Sequence, residues 1–577
     1  MPAVFTTSEK NGAAWNRIIN PCSIQWLMVI PFLFLYGCEK KEASIRSTGL
    51  TVKLTPCNDA ATPSGLLQIR KKKDGPNVIE TMLRKTGRFS LPVGEYTITV
   101  DKGPGYSPVD RYTYLSRRSH LLTISPVPWF DLRKLGWQII RPVVHVTSTT
   151  HEDIVSAVHR EEALGTCFLG ISANWKLHGR QKFSRLNSDV SKQNIQLVRA
   201  QPLNKGFLYA NAWAYTQEPV PPARGPLYSV FQKVRRLKGV CAVRFPTNEL
   251  PEGPSTLKIK HPGMDSIPKK FRHFVRTGLA SELPFDIIAG PLFDVLDIHL
   301  ESDKDIRLWF FLLNNGYRIP AVSSDADAWC LAPATEYGLN SIGKGVTCIS
   351  NGPVLLFRIA GKIPGERLPA DKKRLQGHVG AFLDPAGEDT FTSLEIIRNG
   401  KAREYPIASG QRSVDLKVRP IFESEPAWYM ARVRTRKGKT ALTNPIFFGA
   451  DSRVSSPPAT ARVILSVQDA ATRPVPQATA TIMNNTTAIR KINLTAGPVE
   501  FDCPPTAEII ITAKGYQPER VTLFEASGIR DYLLELHSFN SPGAESLYKW
   551  STYEHVKLLL SRIKLTLTLN KTTEDKP

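Results

Sequence analysis

The sequence predicts a multi-domain protein in which βα units around a parallel sheet lie between β-sandwich domains. From about residue 143 to residue 330, strand-like stretches alternate with helical ones, a pattern typical of βα units. Short strands with period-two alternation lie on both sides of this region. Within it, segment 306–320 leads into an apolar strand followed by Asp325. A carboxylate therefore stands at a strand end, where barrel enzymes place their chemistry.

Length and composition indicate a globular protein with several cores. The chain has 577 residues, 42% hydrophobic residues and 44 prolines, which predicts roughly three to five domains of ordinary size. Its formal charge of +23 comes from short, scattered basic clusters such as 70–73. No recognition helix, zinc finger or aromatic-basic motif accompanies them. The charge is therefore interpreted as a solvated surface, and a nucleic-acid partner is not expected.

The N-terminus has the pattern of an export signal. Residues 24–36 form a short apolar run, preceded by Lys10 and Arg17, and a run of this length suits a signal-peptide core better than a membrane span. The following Leu35-Tyr36-Gly37-Cys38 resembles a bacterial lipobox, in which the cysteine is acylated. Residues 1–38 are thus predicted to be a signal peptide of an envelope lipoprotein with Cys38 as its lipidation site. Ordinary secretion and an uncleaved anchor or misassigned start are the alternatives.

The cysteine pattern indicates neither a thiolate metal site nor a disulfide-rich scaffold. Eight cysteines are spread over the whole chain, and no two of them form a CxxC pair. Buried free thiols are the expected state. An isolated disulfide such as Cys330–Cys348 is the alternative.

Strand patterns and turn residues divide the rest of the chain. Residues 45–125 read as a β-sandwich, 133–345 as the βα region and 346–450 as a strand-rich stretch. Residues 460–540 form a second sandwich-like unit similar in layout to carboxypeptidase-regulatory-like domains, and 541–577 a closing helix, a strand and a polar tail. Segments 187–225 and 247–270 read as long loops or insertions.

Several ordered segments resemble one enzyme family. The pattern W…LLN.G.RIP…SD in 309–325, the strand 143–147, and the phrases at 394–400, 427–432 and 443–446 are similar to the CehA/McbA-type, carbaryl-hydrolase-like branch of the PHP metallohydrolases. The resemblance covers roughly residues 85–450. It implies a PHP-like distorted β/α barrel flanked by β-sandwich domains, with zinc, manganese or iron held at the strand ends.

The metal-ligand motifs of that family are incomplete in this chain. The resemblance makes His145 and Asp325 the candidate metal ligands, with His299 as a weaker candidate. Thr147 replaces the second histidine of the family's H-x-H strand, and Arg244 stands where another histidine is expected. A guanidinium repels a metal ion, so Arg244 is predicted to be part of an anion-binding pocket.

Two classes of function follow from these motifs. The favoured hypothesis is an exported pseudoenzyme that acts as a binding or scaffold protein and needs no cofactor. Its partners would be the membrane, through the lipid anchor or leader, and a small-molecule or glycan ligand. The alternative is an active metal-dependent hydrolase of ester, carbamate or phosphoester bonds. A third hypothesis is a structural envelope protein whose β modules bind partners. It requires no metal or ligand site in the βα region.

Overall fold

The computed structural model divides the chain into two compact units, Met1–Arg46 and Ser47–Pro577, and all described residues lie in the second. They are 47–55, 64–72, 75–132, 134–146, 151–172, 196–202, 211–216, 227–244, 283–289, 293–336, 338–369, 374–421, 423–449, 460–484, 487–494, 497–529, 531–533 and 550–572. Over these ranges, no helix has the length and apolarity needed to cross a bilayer.

The first part of the described chain is a pair of small sheets packed face to face. Its strands are β1 Ser47–Leu54, β2 Ser64–Lys71, β3 Asn77–Arg84, β4 Thr86–Pro92, β5 Gly94–Asp101, β6 Val109–Leu115 and β7 His120–Ile124. One sheet has the order β4-β1-β7 and the other β3-β2-β5-β6. Alternate residues of β1, such as Leu50 and Val52, face Ile69 and Ile98 in one core. Period-two alternation therefore places the apolar faces inside.

A second group of elements follows between residues 137 and 350. The strands are β8 Trp137–His145, β9 Thr166–Ser172, β10 Gln196–Pro202, β11 Asn211–Thr216, β12 Val240–Arg244, β13 Val295–Asp297, β14 Ala321–Val322, β15 Trp329–Pro333 and β16 Cys348–Ser350. The helices are α1 His151–Ala163, α2 Leu227–Arg236, α3 Leu283–Ile288, α4 Asp303–Asn314 and α5 Gly338–Lys344.

The next hundred residues are built of strands. They are β17 Val354–Ile359, β18 Arg367–Leu368, β19 Leu375–Phe382, β20 Phe391–Arg398, β21 Lys401–Tyr405, β22 Ser413–Ile421, β23 Ala427–Thr435, β24 Thr440–Thr443 and β25 Ile446–Phe448. Strands β17, β19 and β22 form a separate sheet, whose apolar face shares a core with residues of β20 and β23.

The main sheet runs continuously through both groups. It has fifteen strands, in the order β14-β13-β12-β11-β10-β9-β8-β15-β16-β24-β23-β20-β21, with β25 beside β23 and β18 beside β25. Strands β8, β9 and β10 are parallel neighbours, as are β12, β13 and β14. Strand β11 lies between the two parallel sets and is antiparallel to both of its neighbours.

The predicted PHP-like β/α barrel is therefore wrong. A barrel needs its strands to close on themselves, whereas among the described strands β14 pairs only with β13. At the other side, β8 pairs antiparallel with β15, which carries the sheet on into the strand-rich region instead of closing it. The alternating pattern predicted βα units but gave no sign of β11, which lies in a stretch read as a loop. The result is an open, mixed sheet.

Helix α4 beside this sheet is fixed by contacts at both of its ends. The Ser302 hydroxyl caps its start by accepting from the Asp305 backbone N–H, and acidic residues in the first turn complement the helix dipole. Trp309, fully buried, donates its indole N–H to the Ile319 carbonyl at 2.7 Å. The helix is followed by Gly316, whose φ of 89° lies in the left-handed region. These contacts fix the segment that leads into β14.

The last part of the described chain is another pair of sheets. Its elements are β26 Ala461–Asp469, β27 Thr479–Asn484, β28 Thr487–Asn493, β29 Val499–Cys503, β30 Glu508–Thr512, β31 Glu519–Thr522, α6 Leu523–Ala526, α7 Trp550–Leu560 and β32 Ile563–Leu569. The sheets have the orders β29-β26-β32 and β28-β27-β30-β31. Its core is continuous with that of the main sheet, for Phe524 stacks near Phe285 of α3.

The cysteines among the described residues are free. Cys330 pairs with Ile349 across β15 and β16, and Cys348 pairs with Leu331. Since neighbouring strand residues point to opposite faces, the two sulfurs lie on opposite sides of the sheet, in two different cores. This geometry does not permit a bridge between them.

Candidate functional site

A cluster of charged side chains lies at one edge of the main sheet. Arg244 ends β12, Asp297 ends β13, and Asp325 follows β14 by three residues. These strands are parallel and in register, with Val243 beside Leu296 and Asp297 beside Val322. Parallel strands bring their carboxyl ends to one edge of a sheet, so residues far apart in sequence meet there. We call Arg244, Asp297, His299 and Asp325 the Arg244 cluster.

The guanidinium of Arg244 bridges the two carboxylates. One terminal nitrogen donates to Asp297 Oδ1 at 2.7 Å and the other to Asp325 Oδ1 at 3.0 Å. His299 Nδ1 lies 2.7 Å from the same Asp325 oxygen. The Asp297 side chain is fully buried, and 13% of the Arg244 side chain is exposed. His299 is the open member of the cluster, with 40% of its side chain exposed.

Backbone and hydroxyl groups complete the coordination of the carboxylates. Ser324 donates its backbone N–H and its hydroxyl to Asp297, at 2.8 and 2.6 Å. The Ser323 hydroxyl donates to Asp325 at 2.9 Å. From helix α4, Asp305 accepts from the His299 backbone N–H at 2.8 Å. Asp297 and Asp325 are thus each held by other groups in addition to Arg244.

Electrostatics stabilise the charged forms of these groups. Burial alone would raise the pKa of Asp325, but the hydrogen bond from His299 and the charge of Arg244 lower it to about 2. The hydrogen bond to Asp325 raises the pKa of His299 above its ordinary value. Burial would lower the pKa of Arg244, but the two carboxylates together raise it. The cluster is therefore an internally compensated ionic network.

Two polar atoms near the cluster lack hydrogen-bond partners among the described residues. They are Arg244 Nε and the Tyr215 hydroxyl, both buried. Burial raises the pKa of Tyr215 well above its usual range, and the negative charge of Asp297 adds to the effect. Tyr215 therefore stays a neutral phenol beside the ionic network.

The structure brings together three of the residues predicted from the sequence and leaves others apart. Arg244, His299 and Asp325 are in contact, whereas His145 ends β8, which three strands separate from β12. The His145 side chain and Cys38, the predicted lipidation site, lie outside the described residues. Asp297 was missed as a site residue. Its place at the end of an apolar strand, two residues before His299, was the available signal.

The donor set of the cluster does not fit a divalent metal. A metal ion would have to displace the Arg244 guanidinium, which lies within hydrogen-bonding distance of both carboxylates. Among the described residues, no group of three or more His, Cys, Asp and Glu side chains is arranged to hold a metal ion. Asp327, another acidic residue of this segment, pairs with Lys439 at 2.8 Å. The role of His145, His299 and Asp325 as metal ligands remains a prediction without support from the geometry.

A wide cleft of about 1240 Å³ lies between α1 and the strands β3 and β4. Its charged lining residues are largely paired. Arg141 lies 3.3 Å from Glu161, and Arg160 lies 3.2 Å from Glu80. Arg141 also donates to the carbonyls of Ala326 and Ala328, which places the cleft next to the loop that carries Asp325. Because these charges are paired with one another, the lining does not indicate which class of ligand the cleft would bind.

Comparisons with known proteins identify no relative. No family model matches the chain, and no curated protein matches it. Among solved structures, the BcpA major pilin subunit of Bacillus cereus aligns over 91% of this chain and 100% of its own, with 9% identity and a TM-score of 0.20. The Bacillus anthracis TIE protein aligns over 91% of this chain and 51% of its own, with 9% identity and a TM-score of 0.13. The RrgB pilus backbone from Streptococcus pneumoniae aligns over 29% of this chain and 86% of its own, with 12% identity and a TM-score of 0.09.

At these TM-scores the likenesses carry no argument about this chain. The assignment to the CehA/McbA-type PHP metallohydrolases is nevertheless wrong, because the described strands form an open, mixed sheet and not the expected barrel. The descriptions of the chain as a PHP protein and as a metallohydrolase are wrong for the same reason. The β-sandwich description agrees with the paired sheets at both ends of the described chain.

Proposed function

We propose that this chain is an exported, non-catalytic protein of the bacterial cell envelope that acts in binding or as a scaffold. The observation that carries the proposal is the bridge that Arg244 forms between Asp297 and Asp325. A guanidinium keeps its charge at all relevant pH values. The strand-end carboxylates are thus bridged by a cation that the protein itself supplies.

The protonation of the cluster also argues against hydrolysis. A general base needs a pKa near the working pH, whereas that of Asp325 is about 2. His299 is already engaged by the same carboxylate, since its Nδ1 lies 2.7 Å from Asp325 Oδ1, and this hydrogen bond raises its pKa. Asp325 is therefore not suited to activate a water molecule.

Export is supported by the sequence of the N-terminus. The apolar run 24–36 followed by Cys38 has the order of a leader and a lipobox. We propose that the leader is cleaved before Cys38 and that an acyl chain on this residue attaches the protein to a membrane. Replacing Cys38 by Ser should abolish incorporation of labelled fatty acid and release the protein from the membrane fraction. Incorporation that persists in this variant would contradict the anchor.

The absence of catalysis is tested with residues 39–577, which contain the whole of unit Ser47–Pro577. The protein is purified without chelator, its zinc, manganese and iron contents are measured, and aryl esters, carbamates and phosphoesters are offered. We expect no turnover and no metal bound at the Arg244 cluster. Stoichiometric metal together with hydrolysis that is lost in Asp325→Ala would overturn the proposal. The matched control is Asp327→Ala, which changes an exposed carboxylate of the same segment.

A further inference from the structure

One end of the N-terminal sandwich carries a group of exposed basic residues. Lys71 ends β2 and Lys72 follows it, and Arg117 and Arg118 lie in the turn between β6 and β7. The Lys72 N–H donates to the Glu95 carbonyl at the start of β5, and β5 pairs Gly94 with Leu115 at the end of β6. The two basic pairs therefore lie at the same end of the sandwich. We call these four residues the basic rim.

The basic rim is not neutralised within the described part of the protein. None of its four side chains forms an ion pair with another described residue. Among the described residues 47–49, 70–72, 75–77, 92–95 and 116–120, the only carboxylate is that of Glu95, while Arg70 adds a further positive charge. This end of the sandwich is thus strongly cationic and suited to an anionic surface.

The chain enters the sandwich at this same end. Ser47, the first residue of β1, pairs with Pro92, and the Thr48 hydroxyl donates to the Arg118 carbonyl at 2.6 Å. The sequence between Cys38 and Ser47 contains three basic residues, Lys40, Lys41 and Arg46, against two acidic ones, Glu39 and Glu42. A chain of this length reaches at most about 30 Å at ~3.3–3.6 Å per residue. An acyl group on Cys38 would therefore keep the basic rim near the membrane.

The rest of the second unit contacts the opposite end of the sandwich and the side of β3. At that end Arg84, which ends β3, pairs with Glu162 of α1 at 3.0 Å, and along β3 Glu80 pairs with Arg160 at 3.2 Å. The φ of Gly103 is 78°, and any side chain added to it would collide with the Leu164 carbonyl, so the chain after β5 passes directly against the end of α1. The basic rim is left uncovered by described residues.

An aromatic residue stands beside the basic rim. Tyr114 pairs with Glu95 and is 61% exposed; Tyr112, on the same face of β6, is 62% exposed. Tyrosine is enriched at the level of lipid headgroups, because one end of its side chain is apolar and the other polar. Exposed tyrosines next to lysines and arginines fit a membrane interface.

We infer that the basic rim is a docking surface for anionic phospholipid headgroups, which orients the second unit on the membrane that bears its anchor. The inference rests on the proposed envelope location. Electrostatic contact with an anionic leaflet extends over about one Debye length, ~8–10 Å. The rim must therefore lie against the headgroups, with the Arg84 end directed away from them.

The test uses unlipidated residues 39–577 and sedimentation with vesicles of phosphatidylcholine, with or without phosphatidylglycerol. We expect binding only to the anionic vesicles and weakening by salt. Replacing the four rim residues by Gln should lower the partition coefficient by about three orders of magnitude, given the usual contribution of about 1 kcal/mol from each basic residue near such a surface. Because no acyl chain is present, this result is independent of Cys38 and of the Arg244 cluster.

A matched variant removes the same charge elsewhere. Lys401, Lys417, Arg490 and Lys491 are exposed on other strands and are replaced by Gln in the control. This variant should bind as the unaltered chain does. Equal losses in the two variants would show a general charge effect and overturn the inference. Binding to an acidic polysaccharide or to single-stranded DNA, but not to anionic vesicles, would also overturn it by replacing the membrane with another polyanion.

Discussion

The side-chain amide of Asn444 pairs with Ala321 as a neighbouring strand would. It accepts from the Ala321 N–H at 2.8 Å and donates to the Ala321 carbonyl at 2.9 Å. The same amide donates to the Thr347 hydroxyl at 2.8 Å, and Asn444 is fully buried. Ala321 begins β14, the strand that leads to Asp325. Asn444 therefore holds the segment that positions one carboxylate of the Arg244 cluster.

Replacing Asn444 by Ala should destabilise the protein. The variant leaves the backbone groups of Ala321 without partners inside the protein, and we expect a loss of about 2–4 kcal/mol in the free energy of unfolding. Urea denaturation measures the change. The control is Asn493→Ala on the exposed strand β28, which should change stability by less than about 0.5 kcal/mol. Equal effects in the two variants would contradict a structural role for the Asn444 amide.

Replacing Arg244 by Met should cost about 3–5 kcal/mol, because it leaves the fully buried Asp297 carboxylate without its cation. The loss should shrink as the pH falls and the carboxylates take up protons. Adding Asp297→Asn and Asp325→Asn to the same chain should recover part of the stability. Arg235→Met is the control, since Arg235 pairs with Asp294 at 3.1 Å with 44% of its side chain exposed, where such pairs contribute about 1 kcal/mol or less.

The contact between Asp325 and His299 should make stability depend on pH at both ends. The lowered pKa of Asp325 contributes stability that is present above its ordinary pKa near 3.8 and is lost as the pH falls through about 2, by at most about 2 kcal/mol. The raised pKa of His299 contributes stability that is complete below its ordinary value near 6.5 and is lost as the pH rises through the raised value.

The measurement is the free energy of unfolding against pH for the unaltered chain and for Asp325→Asn. The difference in the free energy of unfolding between the two proteins should become smaller as the pH falls. The imidazole resonance of His299, followed by NMR, should titrate at a lower pH in the variant, since its hydrogen-bonded carboxylate is gone. An unchanged titration would show that the two side chains do not interact in solution.

Cys330 and Cys348 should remain free thiols in the folded protein even under oxidising conditions. Both are buried, and they point to opposite faces of the sheet. Burial also raises the pKa of Cys330 to about 12, which suppresses the reactive thiolate. Denaturation without reductant followed by alkylation and peptide mass analysis should find both modified. A Cys330–Cys348 peptide linked by a disulfide would show that the strand register is wrong.

The local pattern of the sequence was sufficient for individual elements. The apolar spacing of 306–313, followed by Asn315-Gly316, is typical of a helix that ends before the glycine, and α4 is found at Asp303–Asn314. Alternation predicted the strands of residues 45–125 in the same way. The domain boundaries and the roles of His145, His299 and Asp325 stay predictions, because the described residues do not test them.

The sequence did not correctly predict the order and direction of the strands in the main sheet. Alternating strands and helices are compatible with a closed barrel, an open parallel sheet and a mixed sheet, because each strand has the same local pattern in all three. Strand β11 lies in a stretch that was read as a loop, and its antiparallel pairing with β10 and β12 changes the architecture. A family resemblance carried by short phrases cannot supply that pairing.

The sequence by itself determined the leader-like N-terminus, the excess of positive charge, the strand-rich ends and the presence of Arg244 and Asp325 near strand ends, because these follow from residue type and short-range spacing. Only the tertiary structure decided that Arg244 bridges Asp297 and Asp325, and that the basic rim lies where the chain enters β1. Both depend on hydrogen bonds between residues more than fifty positions apart, and the register of strands distant in sequence sets which charges meet.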